Sequence, residues 1–140
     1  MAMTQSQSGG RVVVLLGIAT LILVASVVGG YNHYHAYIEA TGRGLPIVGS
    51  ASFVRNLSVL GVSGVAALAT WAFALKNEIA IAYLTGATAV AALALGEAIS
   101  LAQNILQNPS FSLMFHLPNV LGTMLLSLLA GVFALKWRRR

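Results

Sequence analysis

The segment VVVLLGIATLILVASVVGG, residues 12–30, decides the fold class because it runs for 19 residues without a charged side chain. About 20 consecutive apolar residues allow an α-helix to cross the hydrocarbon core of a bilayer. A secretory signal peptide is the alternative, but its apolar core is usually shorter than this run. The segment therefore predicts a transmembrane helix.

The composition extends this prediction to the whole chain. Of the 140 residues, 58% are hydrophobic and only 8% are charged, whereas soluble domains carry about 25% charged residues. So few charges cannot cover the surface of a soluble domain. The chain also contains no cysteine, which excludes disulfides and cysteine-ligated metal sites. Its remaining apolar segments are therefore predicted to lie in the bilayer as well.

Polar interruptions divide the chain into four apolar segments. Residues 1–10 are predicted to form a polar N-terminal tail, and residues 11–140 a single transmembrane domain. The segments GRGLPIVGS, KNE and QNILQNPS carry turn-forming or charged residues and are predicted to be loops. The last span begins near either Pro109 or Pro118. The four spans are predicted at approximately 12–38, 53–75, 79–105 and 110–137.

The predicted fold is all-α, an integral membrane bundle of four transmembrane helices in an up-down-up-down order. Four spans place both termini on one side of the membrane. Six of the eight Lys and Arg residues fall on that side, and only Arg43 and Arg55 fall on the other. The positive-inside rule predicts cytoplasmic termini, which we expect in a prokaryotic cytoplasmic membrane. A basic face for nucleic acid is missing, so no nucleic-acid partner is expected.

Small residues recur at every fourth position on three of the predicted helices. Such stripes let helix backbones approach closely in lipid, where packing replaces the hydrophobic effect. We expect them to serve packing within the bundle in preference to contacts between subunits. The stripes are Thr88, Ala92, Gly96 and Ser100 on helix three, Thr123, Ser127 and Gly131 on helix four, and Ala25 with Gly29 on helix one.

The ionisable residues of the spans gather at one depth. At about 1.5 Å per residue, His33, His35, Glu97 and His116 each lie roughly 30 Å from the cytoplasmic end of their helix. This distance matches the thickness of the hydrocarbon core, so all four residues are predicted at the outer boundary. The inner half of the bundle carries no ionisable side chain between the helix ends.

Two histidines, three tyrosines and a glutamate crowd into the segment YNHYHAYIE, residues 31–39. If helix one extends through this segment, His35 and Glu39 share a face with Tyr31, and His33 lies on an adjacent face with Tyr37. A carboxylate one turn from an imidazole can orient it and stabilise its protonated form.

Four interpretations of this outer cluster remain open. Histidine and tyrosine form an interfacial collar in the first, since each has an apolar body and a polar tip. In the second they hydrogen-bond a quinol and accept its protons together with a carboxylate. The third is a b-type haem held by His33 or His35 and by His116, and the fourth is a copper or zinc site. The candidate cofactor-binding residues are His33, His35, Tyr37, Glu97 and His116, and the three histidines are the candidate metal ligands.

Glu97 lies in LALGEAISLA, residues 93–102, and is the one carboxylate inside an apolar span. Carboxylates within the membrane are costly and usually functional. The alternative is that Glu97 pairs with Arg55, Arg43 or a histidine and locks the outer end of the bundle. A proton or cation path is disfavoured because no matching polar group lies deeper in the bilayer.

These features predict a small subunit of a larger membrane complex, without catalytic activity of its own. An electron-transfer complex such as a respiratory complex is the expected host, and the lipid bilayer and other membrane subunits are the expected partners. One alternative is a purely structural scaffold or assembly protein, and another is a small transporter or channel that uses Glu97. The chain has no aspartate, which excludes Ser–His–Asp catalysis, and no Gly-rich phosphate loop.

Overall fold

A computed structural model describes residues 2–43, 50–107 and 113–139, and these residues form four α-helices. Each helix contains a segment that is long and apolar enough to cross a membrane. The prediction of an all-helical fold with four helices of this kind is confirmed. The predicted loop residues 44–49 and 108–110, and residues 111–112 of the predicted fourth span, lie outside the described residues. The helices are α1 (Ala2–Gly42), α2 (Ser50–Leu75), α3 (Ile79–Gln107) and α4 (Leu113–Arg138).

Helix α1 is longer than predicted at both ends. It begins at Ala2, so the polar segment predicted as a tail continues the helix from residue 2 onward. This segment contains Ala, Met and Gln, which are strong helix formers, and extending an existing helix needs no new nucleation. At its other end α1 runs through the YNHYHAYIE segment to Gly42, so this segment is helical throughout.

Helix α4 begins at Leu113 in the described structure, between the two prolines considered as its start. It therefore includes His116 and Pro118. Pro118 lacks the N–H that would bond to the Met114 carbonyl, so the helix loses one hydrogen bond close to its first turn.

A tight turn at residues 76–78 reverses the chain between α2 and α3. Asn77 has a φ of 61°, a left-handed conformation that asparagine tolerates better than most residues. Its N–H donates to the carbonyl of Ala74 at 3.0 Å, and the N–H of Glu78 donates to Phe73 at 2.9 Å. This pair of bonds is the Schellman pattern that closes a helix C-terminus.

Contacts between helices show that consecutive helices are antiparallel. Gly29 of α1 packs on Leu60 of α2, and Thr70 of α2 bonds to Thr85 of α3. In the same way, Tyr83 near the start of α3 meets Phe133 near the end of α4. One end of the bundle therefore contains the C-terminal ends of α1 and α3, and we call it the histidine end. The opposite end contains Lys76, Glu78 and the C-terminus of α4, and we call it the basic end.

Helix α3 is the centre of the packing. It packs against α2 on one side and α4 on another, while α1 packs mainly on α2. In the described residues, the backbone of α4 does not approach α1 or α2 closely. The buried hydrophobic core includes Leu15 and Ile22 of α1, Ala67 and Ala74 of α2, Ile79, Ala82, Tyr83, Ala89 and Val90 of α3, and Phe133 of α4.

Two glycines of α3 allow these close approaches. A Cβ atom added to Gly86 would lie 2.9 Å from the ring of Phe133, and one added to Gly96 would lie 2.8 Å from Val59. Real Cβ atoms do not come this close to another heavy atom, so larger residues would push the helices apart. Gly96 belongs to a predicted small-residue stripe, whereas Gly86 was not singled out in the sequence.

The stripe of α4 is oriented differently from the prediction. Ser127 and Gly131 are exposed, and a Cβ atom added to Gly131 would meet nothing within 4 Å. Together with Thr123 they line an open groove on the surface of α4. The prediction that this stripe packs inside the bundle is therefore wrong, because α4 turns Phe133 toward α3 instead.

Two hydroxyl groups of α2 bond across the interface with α3, whereas the buried Ser26 hydroxyl of α1 has no partner among the described residues. The Ser63 hydroxyl, which is fully buried, donates to the carbonyl of Ala89 across the α2–α3 interface at 3.0 Å. The hydroxyls of Thr70 and Thr85 are 2.8 Å apart across the same interface. Such bonds between helices typically stabilise membrane bundles by about 0.6 kcal/mol or somewhat more.

We predict that Gly86→Ala lowers the free energy of unfolding by about 1–3 kcal/mol, because the added methyl group meets the buried Phe133 ring. Gly131→Ala is the matched control on α4 and is expected to be nearly neutral. The measurement is reversible denaturation of each purified variant in detergent. Equal stability of the two variants would contradict the packing described for Gly86.

We also predict that Ser63→Ala costs about 1 kcal/mol of stability, since it removes a buried bond between two helices. Ser58→Ala is the control, because the exposed Ser58 hydroxyl bonds only to the carbonyl of Val54 within its own helix at 2.7 Å. The same denaturation assay measures both. A loss for Ser58→Ala as large as that for Ser63→Ala would refute a specific role for the interhelical bond.

Candidate functional site

The antiparallel order brings the cluster residues of α1, α3 and α4 to the histidine end. His33 and His35 lie in the C-terminal quarter of α1, Glu97 lies in the C-terminal half of α3, and His116 lies in the first turns of α4. The structure separates these residues into three environments. One is a small cavity between three helices, one is the exposed surface of α1, and one is a buried position on α4.

The open cavity at the histidine end has a volume of about 90 Å³, and both His33 and Glu97 line it. These two residues come from helices that are separated in sequence by the whole of α2. The close contact of Gly96 with Val59 brings α2 against α3 at the cavity wall. The lining is completed by Asn56, Val59 and Leu60 of α2 and by Leu93, Gly96 and Ser100 of α3.

Glu97 is exposed and has no hydrogen bond or ion pair with any residue that the structure describes. The predicted alternative, in which Glu97 pairs with Arg55, is wrong in this structure. The Arg55 guanidinium instead donates to Gln103 at 3.0 Å. The register of α2 against α3 explains why Arg55 bonds to Gln103 and not to Glu97. Val59 faces Gly96, so Arg55, one turn nearer the start of α2, lies level with residues beyond Glu97.

The side chains of His35 and Glu39 form an ion-pair contact along the surface of α1. The His35 Nδ1 atom lies 3.6 Å from Glu39 Oε1, and both side chains are more than half exposed. The Tyr31 ring lies one turn earlier, with its centroid 5.9 Å from that of His35. The predicted shared face of Tyr31, His35 and Glu39 is confirmed. This face points away from the cavity of His33 and Glu97, and the half-buried Tyr37 does not line that cavity either.

His116 is the buried histidine of the three, with 5% of its surface exposed. It does not line the cavity of His33 and Glu97. Among the residues that the structure describes, no three side chains of the metal-binding types come close enough to hold a metal ion. The haem and the copper or zinc site therefore stay predictions, and the described geometry does not gather His33, His35 and His116.

Sequence reasoning did not assign two polar residues of the cavity, Asn56 and Ser100, to the candidate site. Ser100 was singled out only as a member of the small-residue stripe on helix three. Ser100 lies three residues after Glu97, which places both on neighbouring positions of one helix face. That spacing was the available signal. No comparable signal connects Asn56 to His33, because their proximity depends on how α1 and α2 pack.

Comparison of the chain with protein-family models, with curated proteins and with solved structures finds no match.

We predict that diethyl pyrocarbonate modifies His33 and His35 of the purified protein while His116 stays largely unmodified. The reagent reacts with accessible imidazoles, and only His116 is buried. Peptide mass spectrometry would follow each site over time, with detergent-denatured protein as the control in which all three react. Modification of His116 as fast as His33 in the folded protein would contradict its placement.

Proposed function

We propose that this protein is an integral membrane subunit of a larger electron-transfer complex and that its histidine-end cavity contacts a quinol. Both termini lie on the cytoplasmic side of a prokaryotic cytoplasmic membrane in this proposal. Four helices of membrane-spanning length and the uneven distribution of Lys and Arg support the location and the orientation.

The presence of His33 and Glu97 at one cavity is the observation that carries the proposal. Oxidation of a quinol releases two protons and two electrons. An imidazole and a carboxylate near the membrane boundary are suitable acceptors for those protons. The electrons pass to a redox centre of the host complex. In this proposal His33 and Glu97 orient a quinol hydroxyl and accept its proton.

The size of the cavity limits how a quinol binds. A volume of about 90 Å³ is smaller than the roughly 150 Å³ of a cavity that holds a benzene ring, so the cavity does not enclose a quinol ring. Only the hydroxyl edge of the ring enters the cavity, and the remaining ring surface lies against lipid or a neighbouring subunit. This partial enclosure supports a shared site at a subunit interface rather than a complete site within one chain.

Two surface features support a subunit over a free-standing protein. The exposed Glu97 has no partner among the described residues, so its carboxylate is free to pair with a group of another chain or of a ligand. The groove along Thr123, Ser127 and Gly131 also permits a further helix to approach α4 closely.

We predict that His33→Ala and Glu97→Gln each reduce quinol oxidation by the intact complex at least about tenfold, as expected when a proton acceptor is lost. The complex is purified from native membranes through this subunit, and kcat and KM are measured with a soluble quinol. His35→Ala and Glu39→Gln are the matched controls, because they remove the same groups from the exposed face of α1. Unchanged activity in both cavity variants, with the complex intact, would refute the proposal.

The second candidate is a small transporter or channel that uses Glu97, and the observation in its favour is the same unpaired carboxylate. It is less well supported, because the polar groups deeper in α1–α3 are uncharged hydroxyls such as Ser26, Ser63 and Thr70, and those of Ser63 and Thr70 already have partners. Proton or cation flux in liposomes that contain only this chain, abolished by Glu97→Gln, would favour it. If Glu97→Gln lowers stability alone, the purely structural alternative is favoured.

A further inference from the structure

We infer that the basic end of the bundle contains a binding site for the phosphate of an anionic phospholipid headgroup. A cavity of about 410 Å³ lies there, lined by Arg11 of α1, Tyr83 of α3, Lys136 of α4 and Arg139, which directly follows α4. The inference requires that the helices span a bilayer. It is independent of whether the histidine-end cavity binds a quinol.

The three cations line the cavity because of their positions on the helices. Arg11 lies one turn before Leu15, so it continues the face of α1 that packs into the bundle. Lys136 lies three residues after Phe133, the buried residue of α4, and Arg139 lies three residues later still. Arg11 and Lys136 therefore continue the packed faces of their helices, and Arg139 lies just beyond the end of α4.

Tyr83 fixes the position of Lys136. The Tyr83 ring is buried and packs edge to face against Phe133, with the two ring centroids 5.7 Å apart. The ammonium nitrogen of Lys136 lies 5.5 Å from the Tyr83 ring centroid, within the range of a cation–π contact. The aromatic pair thus holds one cation of the cavity in place without neutralising its charge.

No carboxylate of the described structure balances these charges. Glu78 lies at this end of the bundle, but it forms no ion pair with Arg11, Lys136 or Arg139. Three positive charges at one cavity repel one another and create a strongly positive potential. An anion in the cavity removes this cost. Guanidinium groups suit a phosphate in particular, because they bond two of its oxygens at once.

The position of the cavity selects a lipid as the source of the phosphate. Arg11 lies near the start of the apolar span Gly9–Glu39, and Lys136 near the end of the span His116–Arg138. The cavity is therefore at headgroup level, where basic pockets between transmembrane helices bind anionic lipids. It also lies between α1 and α4, which do not approach each other closely in the described residues.

The test is a lipid titration of the full-length protein in detergent, followed by native mass spectrometry. Phosphatidylglycerol is compared with zwitterionic phosphatidylcholine for the native chain and for the variant R11Q/K136Q/R139Q. At about fivefold per cation lost, we expect roughly a hundredfold weaker phosphatidylglycerol binding in the variant. The control R43Q/K76Q/R138Q removes the same number of charges outside the cavity lining, and its affinity is expected to stay close to that of the native chain.

Three results would overturn the inference. The first is equal affinity of the native chain for the two lipids, and the second is an equal loss of affinity in the cavity variant and the control. The third is displacement of phosphatidylglycerol by inorganic phosphate at equal concentration, which would assign the site to a free anion. If the triple variant does not fold, as judged by circular dichroism, R11Q and R139Q are tested singly, each with an expected loss of about fivefold.

Discussion

The close packing of α3 against its two neighbours is the constraint on which the rest of this structure depends. Gly96 lets Val59 of α2 approach, and Gly86 lets Phe133 of α4 approach. Both contacts are possible only because glycine has no side chain, and in lipid such packing is the main force that joins helices. Each contact also fixes the register and rotation of a neighbouring helix, and thereby the polar groups at one end of the bundle.

The two ends of the bundle follow from these two contacts. At the histidine end, the register of α2 on α3 joins Arg55 to Gln103 and leaves Glu97 in a cavity with His33. At the basic end, Phe133 packs against Tyr83 and Gly86, and this packing places Lys136 at the cavity that Arg11 of α1 also lines. The interior between the ends contains apolar residues and hydroxyls. Among the described residues, the charged groups lie toward the two ends of the bundle.

The open arrangement of the helices gives the chain surfaces that a closed bundle would cover. Because α4 packs on α3 and does not approach α1 closely in the described residues, α4 keeps a wide exposed face. The groove along Ser127 and Gly131 lies on this face, and the basic cavity lies between α4 and α1. These exposed features support the proposed role within an assembly of lipids and other subunits.

The sequence by itself determined the helical class, the number of helices and the separation of histidines from basic residues. These properties depend on the hydropathy and length of each segment alone, because a chain in lipid satisfies its backbone hydrogen bonds locally through helices. The sequence also predicted the shared face of His35 and Glu39, which depends only on the helical period. Tertiary structure decided which stripe of small residues is buried, that Arg55 bonds to Gln103 and not to Glu97, and that Arg11 shares a cavity with Lys136. Those outcomes depend on the rotation and register of helices that are distant in sequence, which side-chain contacts between helices fix.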